Sequence, residues 1–320
     1  MSRIITVFGA TGAQGGGLAR AILTDPQQRF RVRAVTRKPD SPAARALSET
    51  GADIVVADLD DSDSVRRAVD GAHGAFCMTN FWEHFSPEKE LAQANTMAQA
   101  ALDAGVKHVV WSTLEDTREF VEPGSRMPVL MGTYNVPHFD AKGEANRAFI
   151  DRYVPTTLLY TSFYWENLIH FGMQPQRGAD GTLDFVLPMG NAKLPGIAAA
   201  DIGACAFGIF ARGEELIGKS IGIAGEHLTG AQMAEQLTLA IGEPVRHVAP
   251  TPSQFAALGF PGADDLANMF QFKTDFEDMF CAARRVESSR DLNPRLQSFS
   301  QWLGQNAKRL PIQPRVGEPA

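Results

Sequence analysis

Ile4-Ile5-Thr6-Val7-Phe8-Gly9-Ala10-Thr11-Gly12-Ala13-Gln14-Gly15 decides the fold of this chain. A β-forming run ends in glycines at every third position, and Leu18-Ala19-Arg20-Ala21-Ile22-Leu23 continues at once as a helical pattern. Strand, tight turn and helix therefore follow one another without a linker. Gly9 permits the turn, Gly12 lets the backbone approach a pyrophosphate, and Gly15 lets helix and strand pack closely. The helix N-terminus presents free N–H groups to the anion, with Thr11, Ala13 and Gln14 filling the turn. The spacing G-x-x-G-x-x-G is one residue longer than the G-x-G-x-x-G of many dinucleotide sites. A glycine triplet alone also describes a flexible loop; its place between strand and helix makes it a dinucleotide site.

The second βα unit selects the dinucleotide. Arg31-Val32-Arg33-Ala34-Val35-Thr36 reads as a strand, and Arg37-Lys38-Pro39 follows. An NAD site places Asp or Glu near this strand end to hold the ribose 2′-hydroxyl. Here Thr36 and two cations stand there instead. A guanidinium binds a 2′-phosphate through several donors and stacks on adenine, so Arg37 and Lys38 point to NADP(H), although either could be a solvated loop charge.

Outward from these units, β-branched runs at 53–57, 74–79, 107–113 and 156–160 alternate with helical patterns at 62–69 and about 87–104. Such alternation implies an α/β fold with a doubly wound parallel sheet covered on both faces and ligands beyond the C-terminal strand ends. The second half is rich in Pro and Gly with short strands, and reads as a smaller α/β lobe. Its expected elements are a core strand near 219–224, a Thr229-capped helix to about Ile241, a strand at 245–248, and helices at 252–258 and 263–272. The expected division is 1–160 for the nucleotide domain, joined by the 219–224 strand, 161–312 for the lobe, and 313–320 as a loose tail.

The chain has 320 residues, 21% charged and 44% hydrophobic, with a net charge of −7. That charge gives no reason to expect nucleic acid as a partner. Cys77, Cys205 and Cys281 are odd in number and widely spread, which argues against a disulfide framework or a zinc site and suits a reducing compartment. No apolar run approaches the ~20 residues of a membrane span, and a strand begins too early for a signal peptide. The expectation is a cytoplasmic protein with no metal.

Polar residues at strand C-termini are the candidate cofactor ligands. Asp58 could accept from the adenine amino group or cap a helix, Thr79-Asn80-Phe81-Trp82 would reach ribose and phosphate, and Ser112-Thr113 ends the fifth strand. His138-Phe139-Asp140-Ala141-Lys142 raises the sharpest question, because residues at i and i+4 share a helix face. Short-chain dehydrogenases carry Tyr-x-x-x-Lys there; the lysine holds the nicotinamide ribose and the tyrosine protonates the substrate carbonyl. This chain keeps the lysine but shows His for Tyr. Lys142 is thus a candidate cofactor ligand and catalytic residue. His138 is either a catalytic acid or a structural or ligand-contact residue.

The chain resembles the NmrA-like family of atypical short-chain dehydrogenases/reductases, and within it the HSCARG-like NADPH-sensor branch. The resemblance rests on Gly9 to Gly15, Arg37, Thr79 to Glu83, His138 to Asp140 with Lys142-Gly143-Glu144, and Tyr164 to Asn167. It extends to Leu258-Gly259-Phe260-Pro261-Gly262-Ala263 and Asp265-Leu266-Ala267-Asn268-Met269-Phe270. It implies a Rossmann domain that binds NADP(H) through the glycine turn, Arg37, Asp58, Leu59, Thr79, Asn80, Phe81, Lys142, Tyr164, Trp165, Glu166 and Asn167. It also implies a redox-sensing regulator that answers the NADPH/NADP ratio. In the sensor a further cofactor-contacting lysine stands where this chain has Ala92. The alternative is an NADPH-dependent reductase of a quinone, imine or carbonyl, favoured by the apolar set Phe81, Trp82, Phe85, Phe163, Trp165, Phe171, Met173 and Phe185, which lines a pocket or, as aromatic residues at such spacing more often do, fills the core. The corresponding partners are a regulatory protein or a small-molecule substrate, with a homodimer open to either.

Overall fold

The computed structural model describes residues 3–313. β1 (Arg3–Val7) leads through the glycine turn into α1 (Ala13–Leu23); β2 (Phe30–Thr36), α2 (Pro42–Glu49), β3 (Asp53–Val56), α3 (Ser62–Val69) and β4 (Gly74–Cys77) repeat the unit. α4 (Phe81–His84), α5 (Pro87–Asp103), β5 (His108–Thr113), α6 (Pro137–Ile150) and β6 (Thr156–Tyr160) extend it. Local chemistry sets the helix starts. Ser41, Asp61 and Ser86 each accept a backbone N–H of the first turn, and Pro42 and Pro87 stand just inside their helices.

The remainder comprises β7 (Phe163–Tyr164), α7 (Asn167–His170), β8 (Gln176–Arg177), β9 (Leu183–Val186), β10 (Lys193–Ile197), α8 (Ala199–Arg212), β11 (Ser220–Gly222) and β12 (Glu226–Thr229). α9 (Gly230–Ile241), β13 (Val245–Val248), α10 (Pro252–Ala256), α11 (Ala263–Asp275), α12 (Glu277–Ala282), α13 (Val286–Leu292) and α14 (Phe299–Asn306) follow. Thr229 caps α9 in a reciprocal box with Gln232, as expected of that threonine.

Seven strands form one sheet in the order β11-β6-β5-β4-β1-β2-β3, and every pairing in it is parallel. The order reverses between β1 and β4, which places the ligand crevice above the glycine turn. Alternation along the strands feeds two cores. Ile5, Val7, Phe76 and Val110 pack with Leu18, Ile22, Ile202 and Ile209 of α1 and α8, while Ala75, Cys77, Val109 and Trp111 pack with residues of α3, α5 and α6. The fold is therefore the doubly wound α/β form that the sequence implies.

No helical periodicity marks α8, because Ala199–Arg212 is apolar on most sides and carries two glycines. Its reason is packing. A Cβ at Gly17 of α1 would lie 2.8 Å from the Ala200 carbonyl oxygen, and one at Gly203 would collide with the backbone at Gly17–Leu18. Two glycines facing each other let α1 and α8 touch backbone to backbone.

Beyond β6 lie two three-stranded sheets, β12-β10-β7 and β13-β9-β8. Their core gathers Trp165, Phe185, Phe270, Phe272, Phe299 and Trp302, together with Phe139 of α6 and with Val121, Met127 and Val136 from the segment between β5 and α6. That segment thus belongs physically to both halves. Gln313 is held by Arg177, while the rest of the expected tail, 314–320, lies outside the described residues. Among the described residues no helix is long and apolar enough to cross a membrane, and no cluster of His, Cys, Asp or Glu could hold a metal ion.

Candidate functional site

The glycine turn has the geometry an anion needs. Gly9 adopts φ +67°, where a side chain is strained. A Cβ on Gly15 would stand 2.5 Å from the Gly9 carbonyl oxygen, so this glycine is required for the close strand–helix approach. Gly12 occupies the cap position of α1 with no side-chain cap, and the first turn carries no acid. The leading N–H groups of α1, with Thr11, Gly12 and Ala13 exposed, fit a pyrophosphate. Gln14 turns inward: it donates to the Tyr164 hydroxyl and accepts from the Ser112 hydroxyl at 2.7 Å. It ties the turn to β5 and to β7, and burial raises the Tyr164 phenol to about 12, keeping it a neutral hydroxyl.

At the end of β2, the Thr36 hydroxyl accepts the Lys38 N–H at 3.1 Å. Lys38 is exposed, and Arg37, also exposed, pairs with Glu83, a bond that raises its pKa further. Asp58 closes a local turn: its carboxylate accepts the Asp60 N–H at 3.0 Å, and its own N–H donates to the Ser64 hydroxyl. Leu59 is half-buried beside it, Asn80 is exposed at the start of α4, and Phe81 is buried under it. Ala92 lies exposed on α5.

Lys142 reaches across from α6 to the end of β4. An ammonium has three donors, and here all are engaged: with the Thr79 carbonyl at 3.0 Å, the Thr79 hydroxyl at 2.7 Å, and the Glu90 carboxylate. Glu90 is fully buried and also accepts a hydrogen bond from the Thr79 hydroxyl. Burial alone would raise its pKa, but the Lys142 charge, the nearby His84 ring and the hydrogen bonds from Lys142 and Thr79 outweigh it and hold the carboxyl at about 2. Its second oxygen faces His84 Nε2 at 3.5 Å.

One turn before Lys142, His138 is 5% exposed and flanked by Trp82, Phe81 and Phe139. Asp265 of α11 holds its Nδ1 at 2.6 Å and its backbone N–H at 3.2 Å. Asp140 points the other way. It accepts the backbone N–H groups of Thr117, Asn135 and Val136 and so organises the 114–136 segment. Trp165 is buried between Phe299 and Trp302. Glu166 accepts from Ala199 N–H and the Trp302 indole, and Asn167 opens α7. The side chains of Trp165 and Glu166 thus make their contacts within the lobe, and Tyr164 alone of this run is bonded to the glycine turn.

With this geometry, residues 1–303 match the profile of the NmrA-like family. The chain belongs to the NmrA-like family. An NmrA-like family domain-containing oxidoreductase, FrzB of Cladobotryum, is 29% identical over 291 residues, covering 85% of this chain and 84% of the relative. NmrA, a negative transcriptional regulator solved in complex with NADP, superposes with a TM-score of 0.76 at 20% identity over 95% of each chain. The same regulator has been solved with NAD. The Citrobacter triphenylmethane reductase complexed with NADP(H) superposes at 0.73 with 17% identity, over 95% of this chain and 99% of that one.

In this NmrA-like chain the structure also brings forward residues that sequence reading left aside. Glu83 stands at the end of the Thr79–Glu83 run and Glu90 in no motif, yet each pairs with a candidate cofactor cation. Asp265 was legible only as part of the 258–270 run. Its neighbour on α11, Asn268, donates to the carbonyls of Pro128 and Asn135, so this run clamps both the 114–136 segment and His138.

Proposed function

We propose that the chain binds NADP(H) above the glycine turn and acts as a redox-sensing regulator of the NADPH-sensor kind. One observation carries the reading: Arg37 and Lys142, the two cations aimed at the cofactor, hold carboxylates of a single short segment, Glu83 and Glu90. A 2′-phosphate competing for Arg37 releases Glu83. Ribose hydroxyls competing for Lys142 draw away one of its three donors. Cofactor occupancy is thereby written into residues 79–90, where a protein partner can read it. A transcriptional regulator of this fold that carries NAD or NADP supports the same reading. NADP(H) is preferred over NAD(H) because cations, not an acid, follow β2.

Hydrogen exchange with and without saturating NADPH or NADP tests this. Protection of residues 79–90 should change on binding and differ between the two redox forms. Tight binding with no change there would sink the sensor. A second reading, an NADPH-dependent reductase, is favoured by the placement of His138 on Asp265 one turn from Lys142.

A further inference from the structure

We propose that His138 and Asp265 form an acid–base dyad whose His138 Nε2 delivers a proton to a flat conjugated carbonyl compound as that compound is reduced; this rests on the reductase reading and on NADPH binding above the glycine turn. The dyad joins residues 127 positions apart, from α6 and α11. Asp265 grips both the ring Nδ1 and the backbone N–H of the same histidine, which fixes the ring's position and its angle. A carboxylate only accepts, so the Nδ1 proton is held there and Nε2 is the nitrogen that gains and loses a proton. Nε2 makes no hydrogen bond to any described residue.

The imidazole is shorter than the phenol that short-chain dehydrogenases use, and the fold supplies an outside support for it. Asp265 and Asn268 share α11, and Asn268 already clamps the 114–136 segment by its own bonds. The bond to the ring is additional to that clamp. The charged and titratable groups on the elements packed around the ring are Asp264, Asp265, Lys273 and Asp275 on α11, Glu83 and His84 on α4, and Asp140, Lys142, Glu144 and Arg147 on its own helix.

The surroundings define the acceptor. The Trp82 ring lies 4.7 Å from the imidazole, centroid to centroid, and stacks edgewise on Phe85. Gly262 presses on both: a Cβ there would be 2.8 Å from Trp82 and 3.4 Å from Phe85. The loop leading to it carries the exposed Leu258 and Phe260. A wall of this kind takes a planar aromatic carbonyl by stacking. In the balanced step the carbonyl carbon accepts hydride from NADPH, its π pair moves to oxygen, and the His138 imidazolium supplies the proton from Nε2. The products are the alcohol, NADP⁺ and neutral imidazole, which regains a proton from water.

The test uses the full chain, NADPH and phenanthrenequinone. NADPH affinity is measured first by fluorescence titration, so that failure of the cofactor reading is seen by itself and removes the dyad's role with it. Native protein should then oxidise NADPH only when the quinone is present. His138→Gln should lower kcat ~10²-fold or more at unchanged NADPH affinity. Asp265→Asn, the positioning variant, should lower kcat ~10-fold and move the alkaline fall of the kcat–pH profile to lower pH. In the cofactor-free protein, ¹⁵N NMR should place the native His138 proton on Nδ1 and show that preference weakened in Asp265→Asn. NADPH binding without quinone-dependent oxidation, an unchanged kcat in folded His138→Gln, or a native His138 protonated on Nε2 alone would each overturn the proposal.

Discussion

Lys142 in the crevice and Lys273 in the lobe are both withdrawn from solvent, yet their surroundings are opposite. Lys142 has three oxygen acceptors, one of them the buried Glu90 carboxylate. Lys273 is 3% exposed and lies among the rings of Phe139, Phe270 and Phe280, at 5.4, 5.7 and 5.4 Å. Among the described residues its one hydrogen bond is to the Met269 sulfur. Burial, helped by the Arg284 charge and opposed by Glu115, pushes its amine down to about 7. The nearby carboxylate belongs to Arg284, which binds both Glu115 oxygens and stacks 3.6 Å over Phe280. Lys142 is therefore held among oxygens, whereas Lys273 is held among rings, with the neighbouring Glu115 carboxylate already paired to Arg284. The same residue type is thus fixed by hydrogen-bond acceptors in one region and by packing in the other, where burial lowers its pKa.

The strongest way to break this contrast is to take the lobe's carboxylate away. Glu115→Ala leaves Arg284, fully buried, with only the Thr161 carbonyl as an acceptor. Removing one partner of a buried pair costs about 3–5 kcal/mol, and urea unfolding should show that loss without a change in NADPH affinity in the folded fraction. A loss below about 1 kcal/mol would mean that water reaches the guanidinium and that the lobe is not the dry core described.

Lys273→Met sharpens the comparison through pH. The folded pKa of about 7 lies below the ordinary 10.5, so the folded state binds fewer protons than the unfolded chain between those values. Native stability should accordingly fall as pH drops from 10.5 toward 7 and level off below. The substitution removes that slope, with a gain on the order of a few kcal/mol at pH 6 and almost none above 10.5. Parallel stability–pH curves for the two proteins would show that the amine keeps its charge in the core.

What was legible in the sequence follows from how far each feature reaches along the chain. The β1–turn–α1 unit is local chemistry: Gly9 makes the tight turn and Gly15 the close strand–helix approach that the spacing requires. α9 and its Thr229 cap are equally local. α8 was missed because its meaning lies in Gly203 meeting Gly17, an approach no periodicity encodes. The candidate cations Arg37 and Lys142 were visible as residue types, but their partners were not. Glu90 stands 52 positions from Lys142, and Asp265 stands 127 from His138. Charges so far apart in sequence carry no pairing signal in a single chain, and Trp165 and Glu166, read as cofactor contacts by resemblance, direct their side chains into the lobe's own packing.

The smallest expected effect isolates the exchange of partners at Arg37. Arg37→Ala should weaken NADPH about 10-fold or more, since a hydrogen bond to a charged group contributes ~1.5–3 kcal/mol, and should leave NADH nearly unchanged. Glu83→Gln should act in the opposite direction. The Arg37–Glu83 pair is half exposed on both sides, and exposed pairs contribute about 0–1 kcal/mol. Releasing Arg37 from Glu83 should therefore tighten NADPH by no more than ~5-fold, with NADH again unmoved. Titration calorimetry of both cofactors against both variants decides the matter. If Glu83→Gln weakened NADPH, Glu83 would be orienting Arg37 for the phosphate rather than competing with it, and the 79–90 segment would lose its part in reporting occupancy. If it tightened NADPH and NADH alike, the discrimination would rest on the adenine face and not on the 2′-phosphate.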